Sequence, residues 1–159
     1  MNDLVKPQGC TSLKLRELQR VVAQRYDAEV GKSGLKTTQY SLLSHIQSLG
    51  PVRPGELARL MHMDASTLTR NLRPLQEQGW VVVSEGEDAR SRSVSLTPEG
   101  LAKRQEARRH WRAAQEALNE RLGPDRVAAL HALIDESLAM LDEYGSDEAA
   151  PESEPGPPG

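Results

Sequence analysis

The sequence predicts a mainly α-helical fold with six helices and one small β-hairpin. Three observations support this fold class. Apolar residues recur every three or four positions in several segments, which is the spacing of a helix with one buried face. Two short β-branched segments, residues 80–84 and 92–96, flank a polar turn and predict the hairpin. The chain has no phenylalanine, three tyrosines and two tryptophans, so an aliphatic core is expected.

Two helices are expected in the first third of the chain. The first covers residues 11–30, and its apolar positions are Leu15, Leu18, Val22 and Tyr26. Gly31 and Gly34 favour the end of this helix. The second covers about residues 38–49 and ends before Gly50-Pro51. Its apolar face comprises Tyr40, Leu43, Ile46 and Leu49.

A short helix at residues 54–61 and a longer one at residues 65–78 follow, separated by a turn. Leu68, Leu72 and Leu75 face inward on the longer helix. Asp64 is suited to cap it, because a carboxylate accepts hydrogen bonds from the first backbone N–H groups. Pro74 predicts a kink near its last turn, since proline removes a backbone donor and clashes with the preceding turn.

Two further helices are expected at about residues 97–122 and 125–143. Thr97 is suited to cap the first of them, and Pro98 fits its first turn. The second carries one apolar face, made by Val127, Leu130, Ile134, Leu138 and Leu141. So small a domain supplies few surfaces to cover this face, so association with a second copy is expected.

Charge is distributed unevenly along the chain. The whole sequence has a net charge of −3. Residues 142–159 contain six acids and no lysine or arginine, which leaves +3 on residues 1–141. The end, residues 145–159, is expected to be a disordered acidic tail, and residues 1–10 an N-terminal arm.

Composition excludes several classes of protein. No apolar run approaches the roughly 18 residues of a membrane helix. The first nine residues lack the apolar core of a signal peptide, so a cytoplasmic protein without membrane partners is expected. A single cysteine cannot form an internal disulfide. The four histidines are scattered, so neither a metal site nor a cofactor is expected.

The order helix, turn, helix and hairpin is that of a winged helix-turn-helix, which suits duplex DNA because a helix fits the major groove. Small hydroxyls and arginines occupy the outward face of the longer helix. The candidate contacts there are Ser66, Thr67, Thr69, Arg70 and Arg73. Arg90 and Arg92 lie at the hairpin tip, where arginine suits a narrow minor groove. Asp88 is placed to orient Arg90, and Glu87 or Asp88 is a possible partner of Arg92.

The hairpin sequence is the most specific motif. Asp88-Ala-Arg90-Ser-Arg92-Ser-Val-Ser-Leu96-Thr97-Pro-Glu-Gly100 resembles the wing signature of the MarR family of bacterial transcriptional regulators, D-x-R followed by LT-x-x-G. Leu35-Lys-Thr-Thr-Gln39-Tyr40-Ser-Leu42-Leu43 resembles the second helix of that family, and residues 57–80 resemble its DNA-reading region. The similarity covers about residues 12–142 in the correct order.

The resemblance implies an intertwined homodimer that binds a pseudo-palindromic operator, usually as a repressor. Residues 11–34 and 98–144 would form the dimerisation helices, and residues 35–97 the winged DNA-binding region. It also implies release by a small anionic or phenolic effector, or by an oxidant. By position, the effector pocket would include Arg16, Tyr26, Tyr40, His45 and Trp111.

Cys10 raises an alternative, a peroxide-sensing repressor. It precedes the first helix, as in the organic-hydroperoxide sensors of this family, and a helix N-terminus lowers the pKa of a thiol. Tyr26 matches one of the two tyrosines of those sensors, but Thr37 stands at the other position and Cys10 lies about two residues early. These departures favour an ordinary exposed thiol.

A second alternative is a winged-helix module for protein–protein assembly, which the modest charge of residues 1–141 leaves open. Salt dependence separates the two, because DNA binding releases counterions and weakens steeply with salt. An enzyme is not expected, since the sequence has no phosphate-binding glycine loop and no paired nucleophile and base.

Overall fold

The computed structural model describes residues 6–86, 88 and 91–147. The chain divides into two compact units, the first ending at Glu116 and the second beginning at Ala117. The expected mainly helical fold with one hairpin is confirmed. The elements are α1 (Thr11–Val30), a short 3-10 turn (Gly31–Ser33), α2 (Thr37–Leu49), α3 (Pro54–Leu60), α4 (Ala65–Glu77), β1 (Val81–Ser84), β2 (Ser93–Leu96), α5 (Pro98–Leu122) and α6 (Pro124–Asp147).

The beginning of α2 is fixed by a side chain of α1. The Thr37 backbone N–H and its hydroxyl both donate to Asp27 Oδ1, at 2.8 and 2.7 Å. This carboxylate satisfies a backbone donor that the first helical turn leaves unpaired. Helix α2 therefore starts one residue earlier than the sequence pattern predicts. Gly34 makes the preceding turn in the left-handed region, with φ of 84°.

The core of the first unit is aliphatic, as expected, and it joins α2, α3, α4 and the hairpin. Leu68, Leu72 and Leu75 are all buried, so the inward face of α4 is confirmed. They pack in one cluster with buried residues of the other elements, which include Leu42, Leu43, Ile46, Leu57, Val81 and Val94. Burial of each such leucine stabilises the fold by about 1.5–3 kcal/mol.

The hairpin is joined to the loop before α3. Strands β1 and β2 pair antiparallel, with Val81 opposite Leu96 and Ser84 opposite Ser93. Val94 also exchanges two backbone hydrogen bonds with Val52, at 2.7 and 3.0 Å. The hairpin is therefore held against the helix-turn-helix by backbone bonds that hydrophobic periodicity does not predict.

Helix α4 begins at Asp64 and continues through Pro74. The Asp64 side chain accepts a hydrogen bond from the Thr67 backbone N–H at 2.7 Å, which confirms the expected cap. Proline leaves the Arg70 carbonyl without its usual donor. The Pro74 carbonyl still accepts from the Gln78 N–H at 3.1 Å, and the helix extends to Glu77. The kink stays a prediction.

The start of α5 is packed tightly against the end of the helix-turn-helix. Thr97 Oγ1 accepts from the Gly100 N–H at 3.0 Å and donates to the Gly79 carbonyl at 2.6 Å. The Thr97 N–H in turn donates to the Trp80 carbonyl at 3.1 Å. A Cβ on Gly100 would overlap that same carbonyl oxygen, so only glycine allows this close approach.

The second unit contains the end of α5 and α6. Helix α6 continues to Asp147, past the expected end at residue 143, because one glycine at position 145 weakens a helix without stopping it. Val127 is buried, but most of the apolar face expected for α6 is open to solvent. Its exposed members are Ile134, Leu138 and Leu141, and Leu133 and Met140, which were not assigned to this face, are exposed as well.

Helix α1 shows the same feature within the first unit. Four of its apolar side chains are exposed: Leu13, Leu15, Leu18 and Val21. Contiguous exposed apolar faces are typical of surfaces that associate with a partner. None of the helices in the described part of the chain is both long enough and apolar enough to cross a membrane.

The packing at Gly100 predicts the effect of one methyl group. Gly100→Ala should lower the free energy of unfolding by about 1–3 kcal/mol, because the new Cβ forces the α5 start away from the Trp80 carbonyl. Gly55→Ala is the matched control, since a Cβ at Gly55 in α3 meets no atom within 4 Å. It should leave stability unchanged or raise it by about 0.4–1 kcal/mol. Urea unfolding of both variants checks this, and equal effects would contradict the packing described.

Candidate nucleic-acid interface

One face of α4 is polar and open to solvent. Burial of Leu68, Leu72 and Leu75 turns the other side of the helix outward. All five expected residues lie on that side: Ser66, Thr69, Arg70 and Arg73 are exposed, and Thr67 is half-buried. The structure thus brings these side chains together on one continuous helical surface.

The first turn of α4 is ordered by Asp64. Its carboxylate accepts from the Ser66 hydroxyl at 2.7 Å as well as from the Thr67 N–H. These bonds, the Ser66 bond first, lower the pKa of the Asp64 carboxyl to about 2. Asp64 is therefore ionised at neutral pH. Thr69 Oγ1 donates to the Ala65 carbonyl at 2.9 Å, which fixes a second hydroxyl close to the backbone.

In the described part of the chain, the contacts of the two α4 arginines are long. Arg70 Nη2 donates to Thr67 Oγ1 at 3.4 Å. Arg73 Nε lies 3.7 Å from Glu77 Oε1, and the Arg73 side chain is 81% exposed. An exposed ion pair of this length contributes little stability, so its exchange for a phosphate or a base edge costs little.

The described part of the hairpin tip is held by Asp88. Asp88 Oδ1 accepts from the Ser91 N–H at 3.0 Å, and the Ser91 hydroxyl donates to the Asp88 carbonyl at 2.9 Å. Arg92 Nη2 lies 3.4 Å from Glu85 Oε1, across the hairpin. Among the described residues Glu85 is thus a partner of Arg92, because antiparallel pairing brings residue 85 beside residue 92. The pairing of Arg92 with Glu87 or Asp88 stays a prediction. Arg90 and Glu87 lie outside the described residues, so the Asp88–Arg90 pair stays a prediction.

Two cationic residues beside this interface were missed by the sequence pattern. Arg53 lines a cleft of about 500 Å³ together with Pro51, Asp88, Ser91, Arg92 and Ser93. Lys36 lines a smaller cleft of about 150 Å³, between the start of α2 and α4. Both residues lie in loops that precede helices, where hydrophobic periodicity makes no prediction. The Val52–Val94 bridge brings Arg53 beside Arg92. This bridge pairs residues that lie far apart in the chain.

The expected effector residues are only partly brought together. The rings of Tyr40 and Trp111 lie 5.9 Å apart. Tyr26 Oη donates to Gln115 Oε1 at 2.6 Å, and burial raises the pKa of this phenol. Gln115 follows Trp111 by one turn of α5. Three of the five expected residues thus border the same stretch of α5.

Arg16 and His45 are not part of that group. Both are exposed and bonded locally, Arg16 to Ser12 Oγ at 3.1 Å and His45 Nδ1 to the Ser41 carbonyl at 2.8 Å. Arg104 was missed instead. Its Nε donates to Ser44 Oγ at 3.1 Å, and its guanidinium lies 6.0 Å from the centre of the Tyr40 ring.

Cys10 is exposed and immediately precedes α1. Among the described residues, no group of three or more histidines, cysteines or carboxylates could hold a metal ion. Neither observation points to a redox or metal site beside the surface of α4 and the hairpin.

Comparison with known proteins identifies the relatives of this chain. The MarR family model matches residues 33–91. An uncharacterised HTH-type transcriptional regulator of Bacillus subtilis, YwoH, is 31% identical over 93 residues, which cover 58% of this chain and 68% of YwoH. The multiple antibiotic resistance protein MarR of Salmonella typhimurium is 32% identical over 108 residues, which cover 65% of this chain and 74% of that protein.

A solved structure agrees with these relatives. The M. tuberculosis transcriptional regulator MosR in complex with DNA superimposes with a TM-score of 0.70 at 34% identity, over 83% of this chain and 98% of that one. The fold, the wing motif and the matched lengths lead to one conclusion. The chain belongs to the MarR family, and it is a DNA-binding transcriptional regulator and not an enzyme.

Proposed function

We propose that this protein is a repressor that binds a pseudo-palindromic operator as a homodimer and is released by a small-molecule effector. The observation that carries the proposal is the outward face of α4. Its hydroxyls and arginines are exposed on a helix whose opposite face is locked into the core. A helix of this kind fits the major groove, where side chains meet the base edges.

The contacts to DNA are divided between α4 and the hairpin. Ser66, Thr67, Thr69, Arg70 and Arg73 are the proposed contacts in the major groove. Arg90 and Arg92 are the proposed minor-groove contacts, because a narrow minor groove has an enhanced negative potential. Asp88 orders the described part of the tip through its bonds to Ser91. Arg53, which shares a cleft with Arg92, is a further candidate for a backbone phosphate.

The proposed homodimer rests on the exposed apolar faces. Helix α6 exposes Leu138 and Leu141 by 41% and 68%, and α1 exposes Leu15 by 54%. Burying such side chains against a partner contributes a free energy of about 25 cal/mol for each Å² of apolar surface removed from water. A two-fold dimer also presents two copies of α4 at the spacing of a palindrome, about 34 Å or one turn of DNA.

The proposed effector site adjoins Tyr40, Trp111 and Arg104. Two aromatic rings provide apolar contact area, and a guanidinium favours an anionic group. A small aromatic or phenolic acid has both features. An effector need only favour the spacing of the two α4 helices that does not fit DNA by ~1–3 kcal/mol to lower occupancy 5- to 150-fold.

The first prediction concerns DNA binding. Arg73→Ala and Arg90→Ala should each weaken binding to duplex DNA from just upstream of the protein's own gene, and wild-type binding should fall steeply with salt. Arg126→Ala is the control, since Arg126 is exposed on α6. Gel shifts at two salt concentrations measure this. Wild-type association that is saturable but insensitive to salt would favour the protein-assembly alternative.

The second prediction concerns the dimer. Leu138→Asp should shift the protein toward monomer, because it buries a charge in the proposed subunit contact. Val82→Asp is the matched control: Val82 on β1 is 47% exposed, against 41% for Leu138, and lies outside the proposed contact. Light scattering measures the mass of both variants. A Leu138→Asp variant that remained dimeric would remove α6 from the contact.

The third prediction separates effector release from peroxide sensing. Cys10→Ser should bind the same DNA as the wild type and keep the same response to small aromatic acids and to organic peroxide. The exposed thiol has a helix N-terminus beside it, and this is the observation that favours the redox alternative. Gel shifts with each compound compare the two proteins. A peroxide response present in the wild type and lost in Cys10→Ser would establish the redox alternative.

A further inference from the structure

We propose that Arg70 and Lys36 together bind one phosphate of the DNA backbone, and that sequence is read by Ser66, Thr69 and Arg73. The inference rests on the proposed DNA-binding function and divides the α4 residues into two roles. Phosphate contacts fix the position of a protein on the duplex, and base contacts carry the sequence information.

The cleft between α2 and α4 is the first observation. It has a volume of about 150 Å³. Lys36, Thr38, Gln39 and Leu42 line it from the α2 side, and Arg70, Asn71 and Pro74 line it from α4. Its polar walls carry donors from both elements, and its size suits a phosphate group and not a base pair.

The charge of this cleft is the second observation. Two of the lining residues are cationic, and none is acidic. Within the described ranges, the Lys36 ammonium forms no ion pair. Arg70 donates to Thr67 at 3.4 Å and is attracted to the Asp64 carboxylate, which does not line the cleft. The cleft beside the hairpin differs, because Asp88 lines it and Glu85 pairs with Arg92 there. The lining of the cleft at Lys36 therefore carries two positive charges and no acidic side chain.

The helical positions on α4 are the third observation. Residues three or four apart are neighbours on a helix surface. Arg70, Asn71 and Pro74 therefore form the strip that borders α2, in agreement with the cleft they line. Arg70 also neighbours Ser66 and Arg73, at spacings of four and three, so the lining of the cleft and not the spacing separates the two groups. Ser66, Thr69 and Arg73 are exposed and do not line the cleft, and the Arg73 side chain is 81% exposed, whereas Arg70 borders the cleft.

These observations give α2 a role in docking. With Lys36 and Arg70 on the same phosphate, two helices hold one point of the backbone, and this fixes how α4 enters the groove. Arg73 remains available for a base edge, where arginine pairs with guanine through O6 and N7. Replacing Lys36 or Arg70 should then weaken all DNA sequences alike, whereas replacing Arg73 should change the preferred sequence.

The experiment uses the full-length protein and the duplex that the wild type selects from random DNA. Affinities of Lys36→Ala, Arg70→Ala and Arg73→Ala are measured for that duplex and for its single-base-pair variants, over a range of salt concentrations. Lys32→Ala is the control: Lys32 is also an exposed lysine near the start of α2, but it is paired with Glu29 at 2.9 Å. Circular dichroism verifies that each variant is folded.

The slope of log affinity against log salt should fall by about one per half-site contact for Lys36→Ala and for Arg70→Ala. Their preferences among the single-base-pair variants should match those of the wild type. Arg73→Ala should lose discrimination about 10-fold or more at one position of each half-site. Lys32→Ala should change neither quantity.

Two results would overturn the inference while leaving the proposed function intact. One is an Arg70→Ala variant that loses base discrimination. The other is a Lys36→Ala variant with the wild-type salt slope. A wild-type protein that selects no DNA sequence would instead overturn the proposed function, and the inference with it.

Discussion

The burial of Leu68, Leu72 and Leu75 is the constraint on which the rest of the interface depends. These three leucines hold α4 in the aliphatic core, and a helix with one face locked inward has its opposite face fixed outward. The outward face then presents hydroxyls near the start of the helix and arginines further along. The packing that folds the domain therefore also orients the side chains proposed to contact DNA.

Hydrogen bonds of the backbone and of the Thr97 side chain extend this fixed frame to the neighbouring elements. The Val52–Val94 bridge joins the hairpin to the loop before α3, and the Thr97 bonds join the end of the helix-turn-helix to the start of α5. Under the proposed function, a shift at the base of α5 would be carried through these bonds to the hairpin and α4. We propose this coupling as the route by which an effector beside Tyr40 and Trp111 alters the spacing of two DNA-reading helices.

Hydrophobic periodicity predicted the helices well, because α2 and α4 each bury one regular apolar face, although α1 exposes the expected Leu15 and Leu18. The residue types at the helix starts predicted the Asp64 and Thr97 caps, since capping follows local rules. Neither pattern found Arg53, Lys36 or Arg104. Their roles depend on contacts between elements distant in sequence, which no local pattern encodes. The extension of α6 past residue 143 was missed because the acidic, glycine-containing sequence there predicted disorder, whereas the helix continues to Asp147.

The central claim is that α4 of each subunit lies in the major groove. Cys10 is the only cysteine, so a cleavage reagent such as iron-EDTA can be attached to Thr69→Cys in a Cys10→Ser background. Bound to the selected duplex, this variant should cut the DNA at two places about one helical turn apart. The same reagent on Ala128→Cys, exposed on α6, is the control and should not give that pattern. Equal cutting from both positions, or none from residue 69, would contradict the account.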